Sequence, residues 1–500
     1  MNKKEILQNI SFGESIAELE SALLNKYFLE TEYWKEIIEG KKDIVYGSKG
    51  AGKSAIYTNI SNNIDHLFSN NILIALAENP SGNTVFANLK NDPPTTQTEF
   101  IRLWKLYFLV ISVNVLNDYE FKDEYTQKLN KILSDCNLIP AQNKLSSFLH
   151  TCFNFMKSFK NGKEISTTAE IDPNTGQYIG QKFSVTFGEP TKSDFEKGLL
   201  PIEYIFDLLA NSIKANGILL WIIIDRLDVA FIESEDLEVN ALRALFKTYL
   251  DLANIESIKL KIFLRDDIWK KITEDGFREA SHITKFVQIS WTKETLLNLL
   301  IKRLLNNDFL VGTLSLDKNK ILDSITEQEN LFYKLFPSQV DNGAKKPKTL
   351  DWLLSRTRDG NYNNTPREII QLFTHAKGIE LKKLESGIND LYSDNIISNQ
   401  SLKDALNSLS KQKIELSIYA EFPKYKIYIE LLRGDKAEHS IQTLSKKWSL
   451  SESNAKLIAK NLSEIGIFEL LGDPSNTRYK IPFLYRPYLE IIQGAASIDE

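Results

Sequence analysis

Short apolar runs alternate along this chain with longer stretches whose apolar residues recur at helical spacing. Ile72 to Leu76 has the length and composition of a strand. Ile218 to Ile224 is apolar throughout, as a central parallel strand covered on both faces must be. Lys259 to Leu264 and Phe286 to Ile289 read as two further core strands. Phe100 to Leu116 reads as an apolar helix, and Leu296, Leu297, Leu300, Leu304 and Leu305 mark an amphipathic helix that opens a helical stretch to about residue 415. Residues 1–40 read as helices, with Ile16, Leu19, Leu23 and Leu24 as an apolar stripe leading to Tyr27 and Phe28. Alternating runs on either side of Asp172-Pro173-Asn174-Thr175-Gly176 predict a β-hairpin at about 164–187, either an arm for a partner or a cover for a sheet edge.

Candidate chemistry enters with Asp43-Ile44-Val45-Tyr46-Gly47-Ser48-Lys49-Gly50-Ala51-Gly52-Lys53-Ser54, which reads as strand, glycine-rich loop and helix start in that order. Such a loop points its backbone N–H groups at phosphates, where the dipole of the following helix also favours negative charge. Gly47, Ser48, Lys49, Gly50, Ala51, Gly52, Lys53, Ser54 and Ala55 are the candidate nucleotide-binding residues. Lys53 would reach the β- and γ-phosphates and Ser54 would hold Mg2+.

The metal needs a carboxylate. The apolar run 218–224 ends at Asp225-Arg226-Leu227-Asp228, which makes Asp225 the expected metal-binding aspartate at a strand's carboxyl end. Many P-loop ATPases follow it with a glutamate that orients the attacking water, whereas Arg226 stands here. Asp228 is the first candidate for the base, with Glu233 and Glu235 behind it; Arg226 either contributes or pairs with an acidic neighbour. About 170 residues separate Ser54 from Asp225, so an insertion at about 77–200 is expected. The 259–264 strand ends at Arg265-Asp266-Asp267, where Arg265 and Asp266 are either sensors of the γ-phosphate or a local ion pair. In Asn364-Thr365-Pro366-Arg367, the proline can open a helix and set Arg367 at its N-terminus, facing either the phosphates or solvent. Arg278 is either an arginine finger for a neighbouring subunit or an exposed surface arginine.

Residues 423–488 predict helix, helix, helix and two strands. Ile427 to Leu432 begins the set, Ile441 to Trp448 follows, and Ser451 caps a third helix with Ala455, Ile458, Ala459, Leu462 and Ile465 on one face. Ile467 to Leu471 and Arg478 to Ile481 flank a Gly472-to-Asn476 turn as in a β-wing, so the unit reads as a winged helix-turn-helix. It carries eleven Lys or Arg against seven Asp or Glu, within a chain of net charge −5. Lys446, Lys447, Lys456, Lys460, Arg478 and Lys480 are candidate phosphate contacts for DNA, although Glu452 and Glu464 share the third helix and a protein-docking role is open.

The overall composition, 42% apolar and 25% charged over 500 residues, is that of a globular protein of two to four domains. Two cysteines, Cys136 and Cys152, give no disulfide framework or zinc site. The sequence shows no signal peptide or membrane span, so a cytoplasmic protein with no membrane partner is expected.

The Phe12-to-Glu18 lead-in, the Gly47-to-Ser54 loop, Ile224-Asp225-Arg226-Leu227-Asp228, Phe263-to-Asp267 and Pro366-Arg367 together resemble a family of bacterial P-loop ATPases allied to the STAND and KAP-type ATPases of the AAA+-like group. The resemblance implies an α/β P-loop NTPase with an ASCE-type parallel sheet, a helical lid and a C-terminal winged-helix domain. It also implies ATP and Mg2+ as cofactors, a switch that engages a homo-oligomer or an effector protein, and association with bacterial antiphage defence or mobile-element loci. The expected organisation is a helical lead-in at 1–40, an ATPase core at 41–290, a lid at 291–415 and the winged helix at 423–488. The lead-in either packs beside the adenine or caps the core. A nucleotide-regulated DNA-binding protein is the alternative.

Overall fold

The computed structural model describes residues 3–77, 96–139, 152, 155–156, 169–171, 178–181, 184–187, 199–225, 235–274, 277–388, 395–473 and 476–497. The chain divides into two compact units, one of residues 31–46 and 56–288, the other of residues 1–30, 47–55 and 289–500. Each has its own hydrophobic core.

In chain order the strands are β1 (Ile44–Gly47), β2 (Ile72–Leu76), β3 (Ala169–Ile171), β4 (Tyr178–Gln181), β5 (Ser184–Thr186), β6 (Leu199–Pro201), β7 (Leu219–Ile224), β8 (Ile258–Arg265), β9 (Phe286–Gln288), β10 (Lys436–His439), β11 (Glu469–Leu471), β12 (Arg478–Lys480) and β13 (Ile492–Ala495). The first unit is built on a five-stranded sheet of order β2-β7-β8-β1-β9. Its β2/β7, β7/β8 and β1/β9 pairs run parallel. The strand that feeds the glycine loop is thus separated by β8 from the strand that ends at Asp225, which is the ASCE arrangement. The chain is a P-loop NTPase by fold. From Leu220 to Ile224 strand β7 is buried throughout, which explains its unbroken apolar sequence.

Helix Gln97–Asp118, capped by the Thr96 side chain accepting from Glu99 N, buries Leu103, Trp104, Tyr107 and Phe108 in this core. Strands β3 and β4 pair antiparallel, while the 172–177 turn of the expected hairpin lies outside the described residues. A lysine lies in the interior of this unit. Lys261 on β8 is fully buried, with Nζ donating to Ile37 O at 3.1 Å and Lys42 O at 2.8 Å, 3.5 Å from Asp43 Oδ1 and 4.2 Å from the centre of the Trp221 ring. The ammonium thereby adds a donor to the Ile37 carbonyl, which also accepts from Gly40 N at 3.1 Å, and satisfies the Lys42 carbonyl beyond the helix.

In the second unit, helix Lys293–Leu305 opens with a Thr292/Thr295 capping box, and helices Pro366–Glu385 and Asn399–Lys413 pack side by side. A π-helical turn, Ile414–Ile418, and a short helix, Tyr419–Glu421, continue directly from the second of these. The N-terminal segment joins this core through Ile6, Leu7, Ile10 and Phe12, with Phe12 stacked on Phe373 at 5.1 Å. The expected stripe at Ile16 and Leu19 is not buried: the two residues are 44% and 70% exposed, while Leu24 is buried. Ile16 lies in a bend and Leu19 in the 3-10 turn Ala17–Glu20, ahead of helix Ser21–Tyr27, so no single α-helical period runs from Ile16 to Leu24.

The winged helix consists of helix Ile441–Trp448 with a Ser440/Thr443 capping box, helix Glu452–Glu464 capped by Ser451, and antiparallel β11 and β12. Strands β10 and β13 extend it to a four-stranded sheet of order β11-β12-β10-β13. The sequence pattern gave no sign of β10, because Lys436-Ala-Glu-His439 buries only Ala437 and His439. The lid loop plugs into the turn after the third helix. Gly360 N donates to Gly466 O at 2.7 Å, and a Cβ on Gly360 would overlap the Phe468 carbonyl.

Candidate functional site

The glycine loop leaves buried strand β1 and enters helix Lys53–Asn62. Gly50 and Gly52 take φ of +87° and +106°, which L side chains rarely adopt, and this lets the backbone turn into the helix start. Lys53 Nζ donates to Gly47 O at 2.8 Å and Ser48 O at 3.0 Å. Trp291 Nε1 donates to Ala51 O at 2.7 Å, and its ring would lie 3.9 Å from a Cβ on Gly52.

The lid meets the loop at its tightest point. A Cβ on Gly50 would stand 2.9 Å from both Arg367 Cβ and Thr365 Oγ1. Pro366 occupies the first turn of helix Pro366–Glu385, so Arg367 sits at a helix N-terminus beside the cradle. Arg367 Nε donates to Ser15 O at 3.4 Å, and Gln371 Nε2 to Ser15 Oγ at 3.2 Å, which ties the N-terminal lead-in to the same helix. Thr365 Oγ1 donates to the buried Glu368, whose other oxygen accepts from Lys413 Nζ at 2.6 Å. Lys49, within the loop, is ion-paired with Glu421.

Beside the lead-in lies a cavity of about 340 Å³ lined by Gly13, Glu14, Leu19, Tyr27, Arg303 and Asn307 among others. Its wall is a buried bidentate pair: Arg303 Nη1 and Nη2 each donate at 3.0 Å to the two oxygens of Glu20, and Nη1 also donates to Phe12 O at 2.8 Å. Tyr27 lies under the guanidinium, 4.4 Å from its ring centre, and burial together with Glu20 pushes its hydroxyl pKa up. A Cβ on Gly13 would collide with this pair.

In the other unit, Asp225 follows β7 and is 6% exposed. Arg265 closes β8 and forks onto Asp267, with Nε to Oδ1 at 3.0 Å and Nη2 to Oδ2 at 2.9 Å. Asp266 begins helix Asp266–Glu274. Arg278 is exposed in the 3-10 turn Arg278–His282. Asp228 and Glu233 lie outside the described residues, as does the side chain of Glu235.

Four of the six candidate winged-helix cations have acidic partners. Lys447 pairs with Asp435 at 2.8 Å, Arg478 with Glu438 at 3.2 Å, Lys480 with Glu469 at 3.4 Å and Lys460 with Glu464 at 3.6 Å. Lys446 and Lys456 are exposed.

Sequence reasoning missed Trp291, Thr365, Gln371 and Glu421. Trp291 offered one signal, its place directly after the last core strand. The rest depend on tertiary packing that periodicity does not encode.

No protein-family model matches the chain, and no curated protein matches it. Solved structures similar to it include the ORC2 protein of Aeropyrum pernix with ADPNP and ADP, at 11% identity, TM-score 0.31, covering 94% of this chain and 93% of that one. The ORC1 protein of A. pernix in complex with DNA aligns at 10% identity and TM-score 0.35 over 91% of each chain. A Walker-type ATPase of Pyrococcus abyssi aligns at 11% identity and TM-score 0.38, covering 93% and 96%. At such TM-scores these likenesses carry no argument, and the fold rests on the chain's own strand order and loop.

Proposed function

We propose that the protein binds ATP with Mg2+ and hydrolyses it as a molecular switch, coupling nucleotide state to engagement of further copies of itself or of an effector protein. The observation that carries this is Arg367, which the lid seats against Gly50 at the glycine loop. An arginine presented there by a mobile element can stabilise charge on a transferring phosphoryl group, and can also report whether that group is present.

The residues fit the ligand. Left-handed glycines and the N-terminus of helix Lys53–Asn62 suit a triphosphate, and Lys53 supplies a cation. Ser54 in one unit and the shielded Asp225 in the other each offer an oxygen donor of the kind Mg2+ takes, and the metal would neutralise phosphate charge. The cavity beside Gly13 has the size and mixed lining of a nucleobase site, and the exposed Ile16 and Leu19 offer apolar surface near it. The link to bacterial defence rests on the family resemblance alone.

The experiment is an ATPase assay with Mg2+ read alongside mass in solution. Expected are phosphate release that is abolished in Lys53→Ala and an ATP-dependent increase in mass. Release equal in wild type and Lys53→Ala overturns the reading.

A further inference from the structure

Lys49 of the glycine loop does not stand alone against the nucleotide: its ammonium is held by the Glu421 carboxylate, 372 positions further along the chain. Neither side chain is on open surface, at 37% and 24% exposure, so the pair is partly shielded from water. Glu421 is the last residue of a segment with unusual geometry. Helix Asn399–Lys413 passes into the π-helical turn Ile414–Ile418, then into Tyr419–Glu421, before the chain enters the winged helix. A π turn inside an α-helix stores an extra residue that the helix can release by shifting register.

Both flanks of that turn reach the glycine loop. At its start, Lys413 is paired with Glu368, Glu368 accepts from Thr365, and Thr365 lies against Gly50. At its end, Glu421 is paired with Lys49. Loop position 49 is therefore ion-paired three residues past the only π turn among the described residues, and position 50 packs against the Thr365–Glu368–Lys413 chain that reaches the residue before it. Beyond it, Tyr419 donates to Glu430 at 2.7 Å, and Tyr488 donates to Glu415 at 2.9 Å, so the segment is tied in turn to the winged helix.

We propose that Glu421 is an internal competitor for the triphosphate, an anion held at the cradle that ATP must displace, and that its release lets the 414–421 segment change register and carry the winged helix with it. The inference rests on the proposal that the loop binds ATP. Its physical basis is charge. A carboxylate held on Lys49 lies well within a Debye length of phosphates bound by the same loop, about 8 Å at physiological salt, and like charges at that range oppose each other. Triphosphate binding and the Lys49–Glu421 pair are thus mutually destabilising, and by linkage each weakens the other equally.

The test measures the affinity of the full chain for a fluorescent ATP analogue with Mg2+ in wild type, Glu421→Gln, Lys49→Ala, the double variant and Lys53→Ala. Hydrogen–deuterium exchange over 414–421 is followed with and without ATP. Expected is a roughly three- to tenfold tighter dissociation constant in Glu421→Gln, a gain of this size being what one partly shielded charge pair supplies. That gain should vanish when Lys49 is already alanine. In wild type, ATP should change exchange in 414–421, and Glu421→Gln should show the changed pattern without ATP. Equal affinities in wild type and Glu421→Gln, with Lys53→Ala weakened, overturn the inference and leave ATP binding standing. Failure of wild type and every variant to bind overturns both. If Glu421→Gln melts well below wild type, Glu421→Asp, which keeps the charge on a shorter stem, replaces it: affinity tighter than wild type supports displacement, and unchanged affinity opposes it.

Discussion

Gly50 and Arg367 are packed so closely that there is no room between them for a side chain on the glycine: a Cβ there would meet Arg367 Cβ and Thr365 Oγ1, each at 2.9 Å. The glycine is needed for its backbone, at φ +87°, and for this approach. Gly50→Ala must both strain the loop and push the lid helix away, at a cost of about 1–3 kcal/mol. Expected are an apparent melting temperature lower by several degrees and nucleotide affinity weaker by about tenfold or more, read by thermal shift and by titration with a fluorescent nucleotide. An alanine variant with wild-type affinity would show that the lid does not close on this position.

Arg367 itself is expected to act on turnover more than on binding. Arg367→Ala should lower phosphate release by roughly 10- to 100-fold while the dissociation constant for ATP changes less than about threefold. Arg367→Lys should not restore the rate, since an ammonium cannot reproduce a planar fork of donors. Wild-type turnover in Arg367→Ala would leave the residue as a packing element that joins Gly50 to Ser15.

At the end of β7, Asp225→Asn keeps the shape and removes the charge. Phosphate release should fall by about 100-fold or more, and nucleotide binding in the presence of a chelator should be unchanged, because only the metal-dependent part is lost. Hydrolysis that survives in Asp225→Ala is the result that removes this carboxylate from the metal site.

What the sequence disclosed and what it hid follow from the range of the interactions. The glycine loop and strands β2 and β7 were legible because each is a local property of a few consecutive residues: φ freedom at Gly50 and Gly52, or an unbroken apolar run. The helices of the winged unit were legible for the same reason, with Ser451 bonded to a backbone N–H three residues on, while the Ser440 cap of the preceding helix went unread. The N-terminal stripe misled because Ile16 lies outside any helix and Leu19 in a 3-10 turn, so the α-helical period begins only at Ser21. Lys261 offered no signal at all: a lysine in an apolar strand looks like a solvent-facing alternation until Ile37, Lys42 and Asp43 are folded around it. The Lys49–Glu421 pair spans most of the chain and has no signature in either segment.

The buried Lys261 gives a pH dependence with a definite sign. Desolvation pulls its pKa down from 10.5 to about 8, against the opposing pull of Asp43. The unfolded chain therefore holds more protons than the folded one between those values, and stability rises with pH across that window. Below about pH 8 the full penalty of charging the buried amine is present, on the order of 3 kcal/mol at most. Lys261→Met leaves Asp43 without this partner and should lower the melting temperature at pH 7. It also removes the titration, so the margin of wild type over the variant should widen between pH 7.5 and 9.5 in thermal melts. A margin that stays constant over this range would mean that the amine remains charged in the folded protein throughout it, with a pKa not lowered by burial.

Duplex DNA is expected to be a poor ligand for the winged helix in this state. Binding to a phosphate backbone draws its strength from cations that release counterions, and each cation already committed to a carboxylate contributes little. Lys447, Lys460, Arg478 and Lys480 are so committed, and the third helix exposes Leu457 between Lys456 and Lys460, at 59% of its surface. An apolar side chain there suits a protein surface better than a line of phosphates. Fluorescence anisotropy with a 30-base-pair duplex at 150 mM salt should give a dissociation constant no tighter than roughly 10 μM, and ATP turnover should be unchanged by the duplex. Lys456→Glu with Lys460→Glu should then alter neither quantity. Sub-micromolar binding that falls steeply with salt and is lost in that double variant would reverse this conclusion and make the winged helix a DNA-binding element under nucleotide control.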